Sequence, residues 1–232
     1  MCYNLLRPIR SLFAYLNRNS MLIPFTIEGL IAYCVIVLLA FPLHEFAHAW
    51  MAVRLGDQTP YLQGRLTLDP RAHIDPIGAL ILAVGSFGWA RPVPFVPSNL
   101  RRAPSIQAGI VLVALAGPAM NIVIAVVAAL LIRIGRTSFL ADSAELARIL
   151  ITIVLINLFL AVFNMIPLAP LDGSKVLWGL MPYSWSRTYE QIQQYSLFIL
   201  ILLIIPLGAG GSILGQIINP PVEILSRLLL GF

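Results

Sequence analysis

A short motif of histidine and glutamate gives the clearest chemical signal in the sequence, HEFAH at residues 44–48. On a helix, side chains at i and i+4 share a face, so the imidazoles of His44 and His48 could reach one metal ion. The carboxylate of Glu45, beside the first histidine, could then take a proton from a water molecule that the metal activates. The motif therefore predicts a metal-dependent hydrolytic site.

A third metal ligand must come from elsewhere in the chain, because catalytic zinc usually takes three protein ligands and leaves one position for water. His73 is the one histidine outside the motif, and Asp172 is the only carboxylate between Glu145 and Glu190. Two prolines shortly before Asp172 stop a helix and leave irregular backbone that could line a polar cavity. The residues favour Asp172 over His73, and an aspartate that only caps a turn is the plainer alternative.

The composition places these residues in a membrane protein. The chain has 232 residues, of which 59% are hydrophobic and only 11% are charged, and its mean hydropathy is +0.89. Soluble domains are typically about 25% charged, so the bilayer is the better solvent for this chain. Residues 31–43, just before the motif, carry no charge. Ionisable groups at membrane depth are costly and are functional candidates, which strengthens the prediction of a metal site.

Apolar stretches divide the chain into helices. Spans are expected at residues 21–55, 108–132, 146–168 and 195–218, and a partial or re-entrant helix at 75–89. The first twenty residues could lie on the membrane as an amphipathic helix or form a poorly ordered terminus, and the tail could form a last surface helix. The expected fold is a membrane all-α bundle of about four to five transmembrane or re-entrant helices, in one domain over residues 1–232 with its core at about 28–180.

Two segments near the motif fit neither a span nor a long helix. Residues 59–68 mix polar and apolar side chains around Gly64, and residues 90–97 are punctuated by proline. Both could be strands or extended loops, so a small membrane-associated β element is expected. An edge strand here could pair with the backbone of an extended substrate. Ordinary interfacial loops are the alternative.

Charge and cysteine content narrow the functional classes. The net charge is +5, but the arginines are scattered between the apolar stretches like topology signals and form no basic stripe, so no nucleic-acid partner is expected. The two cysteines, Cys2 and Cys34, predict no disulfide framework. Six arginines lie from Arg54 to Arg102, which favours the cytoplasmic side for this region and for an active site close to it, with the N-terminus on the opposite face.

Two motifs together carry a resemblance to a known family. HEFAH at 44–48 and NMIPLAPLDG at 164–173 resemble the paired motifs of the site-2 protease family of intramembrane zinc metalloproteases. Further glycine and proline segments at 64–70, 73–78 and 117–121 are similar to its compact branch, which lacks PDZ and CBS domains. The resemblance extends over about residues 28–180, and the paired motifs are its most specific part.

The resemblance implies roles for individual residues. His44, His48 and Asp172 would hold Zn²⁺, and Glu45 would be the general base. Asn164 would contact the substrate or the developing oxyanion, although a polar residue that caps the broken helix is the alternative.

The implied enzyme is a multi-pass protein of the lipid bilayer. It would hydrolyse peptide bonds in or near transmembrane segments of a protein or peptide substrate, and a prokaryotic plasma membrane is the expected location. A catalytically silent scaffold or chaperone and a metal transporter are the rival functions. The scaffold would usually lack Glu45, which is present, and the transporter would place ligands along several helices. The natural substrate and the presence of a homo-oligomer stay open, as does the role of Asn121, which could contact the same cavity or a neighbouring helix.

Overall fold

The computed structural model describes residues 27–84, 88–135, 140, 143–205 and 211–231. Helices dominate these ranges, and the surface helix considered for residues 1–20 lies outside them. In chain order the α-helices are α1 (Ile27–Val35), α2 (Phe41–Arg54), α3 (Thr59–Leu62), α4 (Pro76–Val84), α5 (Ile106–Gly135), α6 (Ala144–Asn164), α7 (Asp172–Leu180), α8 (Tyr183–Gln193), α9 (Ser196–Ile204) and α10 (Ile213–Leu230).

Four helices are long and apolar enough to cross a bilayer, judged by length and composition. They are Gly29–Arg54, Ile106–Gly135, Ala144–Asn164 and Ile213–Leu230. Helix α4 has nine residues and is about 13 Å long at 1.5 Å per residue, so it is the partial helix expected between the first two spans. The all-α membrane bundle predicted from the sequence is confirmed.

The first span contains an irregular turn just before the HEFAH motif. A π-helical turn, Ile36–Ala40, joins α1 to α2, and the N–H of Phe41 bonds to the carbonyl of Ile36. Pro42 follows at the start of α2, where its missing N–H would otherwise bond to the preceding turn. Single π turns are frequent at functional sites because they re-aim the residues that follow. Helix α2 ends at Arg54, and Gly56 follows with a φ of 114°, which is open to glycine and strained for other residues.

Helix α5 is the centre of the bundle and packs against α2, α6, α7 and α10. The main apolar core lies between α5, α6 and α10 and is built on α5 from small residues such as Ala125, Ala128 and Ala129. A second cluster joins Ala52 near the end of α2 to Val113 of α5. Because small side chains let helix backbones approach closely, α5 brings its neighbours within side-chain reach of one another.

The end of the chain differs from the sequence-based expectation. Within the described residues, the apolar region expected at 195–218 contains α9 and the start of α10, and α10 is one of the candidate spans. Its buried positions recur every fourth residue, at Leu214, Ile218, Val222, Ser226 and Leu230. This spacing forms one helix face, and that face packs into the main core. The tail helix therefore packs on the bundle along one face, and its place at the membrane surface stays a prediction.

The small β element is also absent from the described ranges, where no residue lies in a strand. Residues 59–68 begin with a helical turn, α3, because Pro60 sits in its first turn, where proline is well tolerated. Residues 90–96 are extended, but the backbone pairing found there is an isolated antiparallel bridge between Ile74 and Ala90. The extended loop was the correct alternative for the second segment, and the strand was wrong for the first.

The buried carboxylate of Asp57 holds these two segments together. One oxygen accepts hydrogen bonds from the N–H and hydroxyl of Thr59 at 3.1 and 2.6 Å and from Asn99 Nδ2 at 3.2 Å, while the other accepts from the N–H of Val96 at 2.6 Å. Burial raises the pKa of Asp57, but these four donors outweigh it, so the pKa lies below its ordinary value. The carboxylate therefore stabilises the fold in its charged form.

We expect Asp57→Ala to lower the free energy of unfolding by about 1.5–3 kcal/mol at neutral pH, because it leaves buried donors without a charged acceptor. Because the pKa of Asp57 is lower in the folded than in the unfolded state, its carboxylate contributes its full stabilisation above the unfolded pKa of about 3.9. This contribution is lost as the pH falls through the folded-state pKa. The gap between variant and wild type should therefore shrink below about pH 4. Thermal unfolding of both proteins in detergent at several pH values measures this difference in stability.

The exposed Glu190, on α8, provides the matched control. Glu190→Ala should change stability by less than about 0.5 kcal/mol. Equal melting temperatures for the Asp57 and Glu190 variants would contradict the structural role given to Asp57.

Candidate metal centre

Helix α2 places two imidazoles on one face at the heart of the bundle. The rings of His44 and His48 lie 4.6 Å apart between centroids and meet edge to face. Their Nε2 atoms are 3.0 Å apart. Both residues are buried, so the motif does not merely end a helix in water.

Asp172, the first residue of α7, brings a carboxylate to the same point. Its Oδ2 lies 3.1 Å from Nε2 of His44 and 3.1 Å from Nε2 of His48, and its Oδ1 is 3.4 Å from Nζ of Lys175. The next residue, Gly173, lies so close to the irregular 165–171 turn that a Cβ there would come within 2.3 Å of the Met165 carbonyl oxygen. The small residue after Asp172 therefore lets α7 start against that turn.

The hydrogen bonds of the outer ring nitrogens decide where the protons are. Nδ1 of His44 is 2.6 Å from Oδ1 of Asn121, and Nδ1 of His48 is 2.7 Å from the carbonyl oxygen of Val113. Both partners are acceptors, so each Nδ1 donates and each neutral ring leaves its Nε2 without a proton. Three proton-free atoms, two nitrogens and a carboxylate oxygen, then face one another at 3.0–3.1 Å. Such a group is suited to binding a cation between its members.

The spacing and donor set fit zinc. Ligands at about 2.0–2.1 Å in tetrahedral geometry are about 3.3–3.4 Å apart, close to the distances observed here. Two histidines and a carboxylate form a catalytic donor set that leaves a fourth position open for water. Within the described ranges, His44, His48 and Asp172 form the one group of three such side chains that could hold a metal ion.

The acidic side chain of the motif stays outside the ligand group. Glu45 is buried, and its Oε2 accepts a hydrogen bond of 3.0 Å from the N–H of Val93 in the extended 90–96 segment. A carboxylate beside the metal ligands but not among them can accept a proton from a metal-activated water.

Comparison with known proteins agrees with this geometry. The sequence profile of Peptidase family M50 matches residues 131–207. The chain is 38% identical over 187 residues to the "Putative zinc metalloprotease YwhC" of Bacillus subtilis, across 78% of this chain and 84% of that protein. The chain belongs to peptidase family M50, the site-2 protease family. It is accordingly a zinc metalloprotease and an integral membrane protein.

More distant M50 relatives agree. The chain is 31% identical over 170 residues to the "Putative zinc metalloprotease Rip2" of Mycobacterium tuberculosis and 28% identical over 173 residues to that of Mycolicibacterium smegmatis. These matches cover 71% and 72% of this chain and 63% and 64% of the relatives, so the chain spans somewhat less than two thirds of Rip2. No solved structure matches this M50 protein.

Two residues weighed from the sequence lie outside the group of three ligands. His73 is fully buried, with Nε2 2.8 Å from the carbonyl oxygen of Thr67. Asn164, at the end of α6, donates from Nδ2 to the carbonyl of Leu160 at 3.0 Å, as expected for a polar residue at a broken helix end. His73 thus bonds within its own loop, and Asn164 keeps its second amide N–H for another acceptor.

The extended segment beside Glu45 is braced from several sides. The guanidinium of Arg65, itself buried, donates to the carbonyl oxygens of Ala72 and Arg91 and, at 2.8 Å, to that of Pro92. The N–H of Arg91 bonds to the carbonyl of His73 at 2.8 Å. With the N–H groups of Val93 and Val96 also bonded to carboxylates, the segment is not a free edge strand, contrary to the docking idea drawn from the sequence.

One contributor to the site was not identified from the sequence, the carbonyl of Val113. It lies five residues before Pro118, whose missing N–H leaves the neighbouring Ala114 carbonyl without its helix donor. No side chain encodes this acceptor, so sequence motifs cannot reveal it. The proline within an otherwise regular apolar helix was the available signal.

We expect Gly117→Ala to abolish zinc binding in this M50 protein. A Cβ at this position would lie 2.3 Å from Nε2 of His48 and 2.6 Å from Nε2 of His44, in the space the metal needs. Zinc content of the purified variant should fall to background while the protein stays folded.

Gly109→Ala on the same helix is the matched control. Its Cβ would crowd the side chains of Leu100 and Ala103 at 2.9–3.1 Å and lies two turns from the imidazoles, so zinc should be retained. Full zinc occupancy in the Gly117 variant would show that the metal does not bind between these nitrogens.

Proposed function

We propose that this protein hydrolyses peptide bonds in or near transmembrane segments of other membrane proteins, with His44, His48 and Asp172 as zinc ligands and Glu45 as general base. One observation carries the proposal. Three ligand atoms converge within 3.1 Å inside the bundle, and a second buried carboxylate, that of Glu45, is held beside them by a backbone N–H. This combination supports hydrolysis rather than metal storage, because it supplies a base as well as a metal site.

The residues of the chain divide the chemistry between them. Zinc, when bound, supplies Lewis acidity toward the scissile carbonyl and makes water a better nucleophile near neutral pH. Glu45 takes one proton from the attacking water and delivers it to the amine nitrogen as the C–N bond breaks. The second amide N–H of Asn164 is available to stabilise the oxyanion, while its first remains on the Leu160 carbonyl.

The position of the site supports a membrane-embedded substrate. Glu45 lies sixteen residues into the first span, which starts at Gly29, or about 24 Å along a helix. A helical substrate shields its own peptide bonds, so it must be locally extended to react. The Val93 N–H holds the 90–96 segment beside Glu45, so we propose that this segment borders the space in which the extended substrate lies.

A metal transporter is less well supported. Transport needs ligand groups at intervals along a path, whereas the described ranges hold one compact group of three ligands. A silent scaffold would have no use for Glu45 beside the metal.

The charges near the site support one orientation in the membrane. We place the active site nearer the cytoplasm of a prokaryotic plasma membrane. Six arginines from Arg54 to Arg102 support this side, and the relatives named above come from bacteria.

We expect Glu45→Gln to lower the cleavage rate by about 10²–10⁴-fold without loss of zinc. The amide oxygen of glutamine can still accept from the Val93 N–H, so the variant removes the base and leaves the extended segment in place. Cleavage of a synthetic single-span peptide with a Gly–Pro pair in its apolar segment, reconstituted in lipid vesicles, measures the rate. Zinc content is measured on the same preparation.

Variants of the competing ligands complete that experiment. Asp172→Ala should lose both zinc and activity, whereas His73→Ala should keep its zinc. An active Glu45→Gln protein would refute the base assignment, and loss of zinc from the His73 variant alone would refute the ligand set.

A single cysteine at the exposed Ser98 tests the orientation. In a background without Cys2 and Cys34, Ser98→Cys should react with a membrane-impermeant maleimide only when cells are opened. Glu145→Cys, separated from Ser98 by the 30 residues of α5, should react in intact cells because about 45 Å of helix exceeds the ~30 Å hydrocarbon core. The reverse pattern would overturn the orientation.

A further inference from the structure

A single amide in the third span has no role in the proposed chemistry. Asn157 lies in the middle of α6, between ITIVLI and LFLAVF, and is completely buried. A polar side chain buried in a membrane helix is costly unless it is bonded, and such residues often serve function. Its hydrogen bonds lead to the metal site.

Three hydrogen bonds connect α6 to a zinc ligand. Nδ2 of Asn157 donates to the carbonyl oxygen of Ile153 at 2.9 Å. Oδ1 of Asn157 accepts from Nδ2 of Asn121 at 2.9 Å, and Oδ1 of Asn121 accepts from Nδ1 of His44 at 2.6 Å. Both asparagines are completely buried, so water cannot replace a missing partner.

The direction of this chain follows from its first acceptor. A backbone carbonyl can only accept, so Asn157 must turn its NH₂ group toward Ile153 and its oxygen toward Asn121. Asn121 must then present NH₂ to Asn157 and oxygen to His44. The proton of His44 is thereby held on Nδ1, which leaves Nε2 free for the metal.

The two histidines reach the same state by different means. His48 bonds directly to the carbonyl of Val113, which cannot reverse its polarity. His44 bonds to an amide, which could turn over and offer NH₂ in place of oxygen. In that orientation the ring would carry its proton on Nε2 and could not bind zinc through it. An amide at this position therefore needs a second residue to fix it.

From this network we infer that Asn157 is a positioning residue of the zinc site. It acts through Asn121 to keep the proton of His44 on Nδ1, and it touches neither the metal ligand nor the substrate. The inference rests on the proposed role of His44 as a zinc ligand.

The test compares zinc affinities in detergent by competition with a chelator. Asn157→Leu has nearly the same volume but cannot orient Asn121, so zinc should bind about 10–100-fold more weakly. Asn157→Asp should stay within about threefold of wild type, because a carboxyl group in either protonation state still accepts from Asn121. Thr152→Val is the control and should leave the zinc affinity unchanged. Like Asn157, Thr152 donates to the carbonyl four residues earlier in α6, that of Arg148, but it does so at an exposed position.

A suppressor variant separates orientation from packing. Asn121→Asp offers His44 an acceptor oxygen at either end and needs no second residue to orient it. Introduced into the Asn157→Leu protein, it should restore zinc affinity to within about threefold of wild type. Melting temperatures of the zinc-free proteins show whether each variant is folded, and if Asn157→Leu does not fold alone, the double variant and Asn157→Asp carry the test.

The outcomes separate this inference from the proposed function. If His44→Ala keeps full zinc affinity, the ligand assignment fails, and the inference with it. If His44→Ala loses zinc but Asn157→Leu binds it as tightly as wild type, the ligand assignment stands and the inference is overturned. If Asn157→Leu binds zinc weakly and the added Asn121→Asp substitution does not restore the affinity, Asn157 acts through packing. That result also overturns the inference.

Discussion

The structure depends on one arrangement: three proton-free ligand atoms that face one another in the interior of an apolar bundle. Two imidazole nitrogens and a carboxylate oxygen lie 3.0–3.1 Å apart, a spacing at which all three can bind one cation. To bind it, both histidines must keep their protons on the outer nitrogen, and each outer nitrogen needs an acceptor. The nearest acceptors come from α5, which makes this helix a part of the metal site as well as of the core.

Helix α5 meets this demand through its small and irregular residues. Gly117 leaves the space in front of the imidazoles free, and Pro118 removes a donor from the turn before it. The carbonyl of Val113 and the amide of Asn121 then lie on the side that faces α2. One stretch of about nine residues, 113–121, thus lets the helices approach closely. The same stretch leaves space for the metal and supplies acceptors for both histidines.

The region between the first two spans positions the general base. Its extended segment is held by two buried charged groups, the carboxylate of Asp57 and the guanidinium of Arg65. Both bond to backbone atoms of the segment, so its shape does not depend on pairing with a neighbouring strand. This explains why a proline-rich stretch is ordered beside Glu45 without forming the β element expected from its composition.

Much of this protein could be read from its sequence, because local spacing carries the information. The i, i+4 histidines predict a shared helix face, the low charge predicts a membrane bundle, and the prolines before Asp172 predict irregular backbone at a helix start. The short helix α3 and the packed tail were missed. A proline can begin a helical turn or interrupt a strand, and an apolar helix face can pack on protein or on lipid. Only the neighbouring groups in the folded structure decide between these alternatives.

What only the tertiary structure decided is which distant groups meet. Asp172 lies 124 residues from His48 in sequence, and no local pattern could establish that these atoms converge while His73 stays apart. The bonds of Asn121 and Asn157 likewise depend on three helices packing in register. The sequence by itself determined the types of group available and the helices that carry them. The fold decided their directions, because a hydrogen bond or a metal site requires atoms within about 3 Å, and only packing sets distances that short.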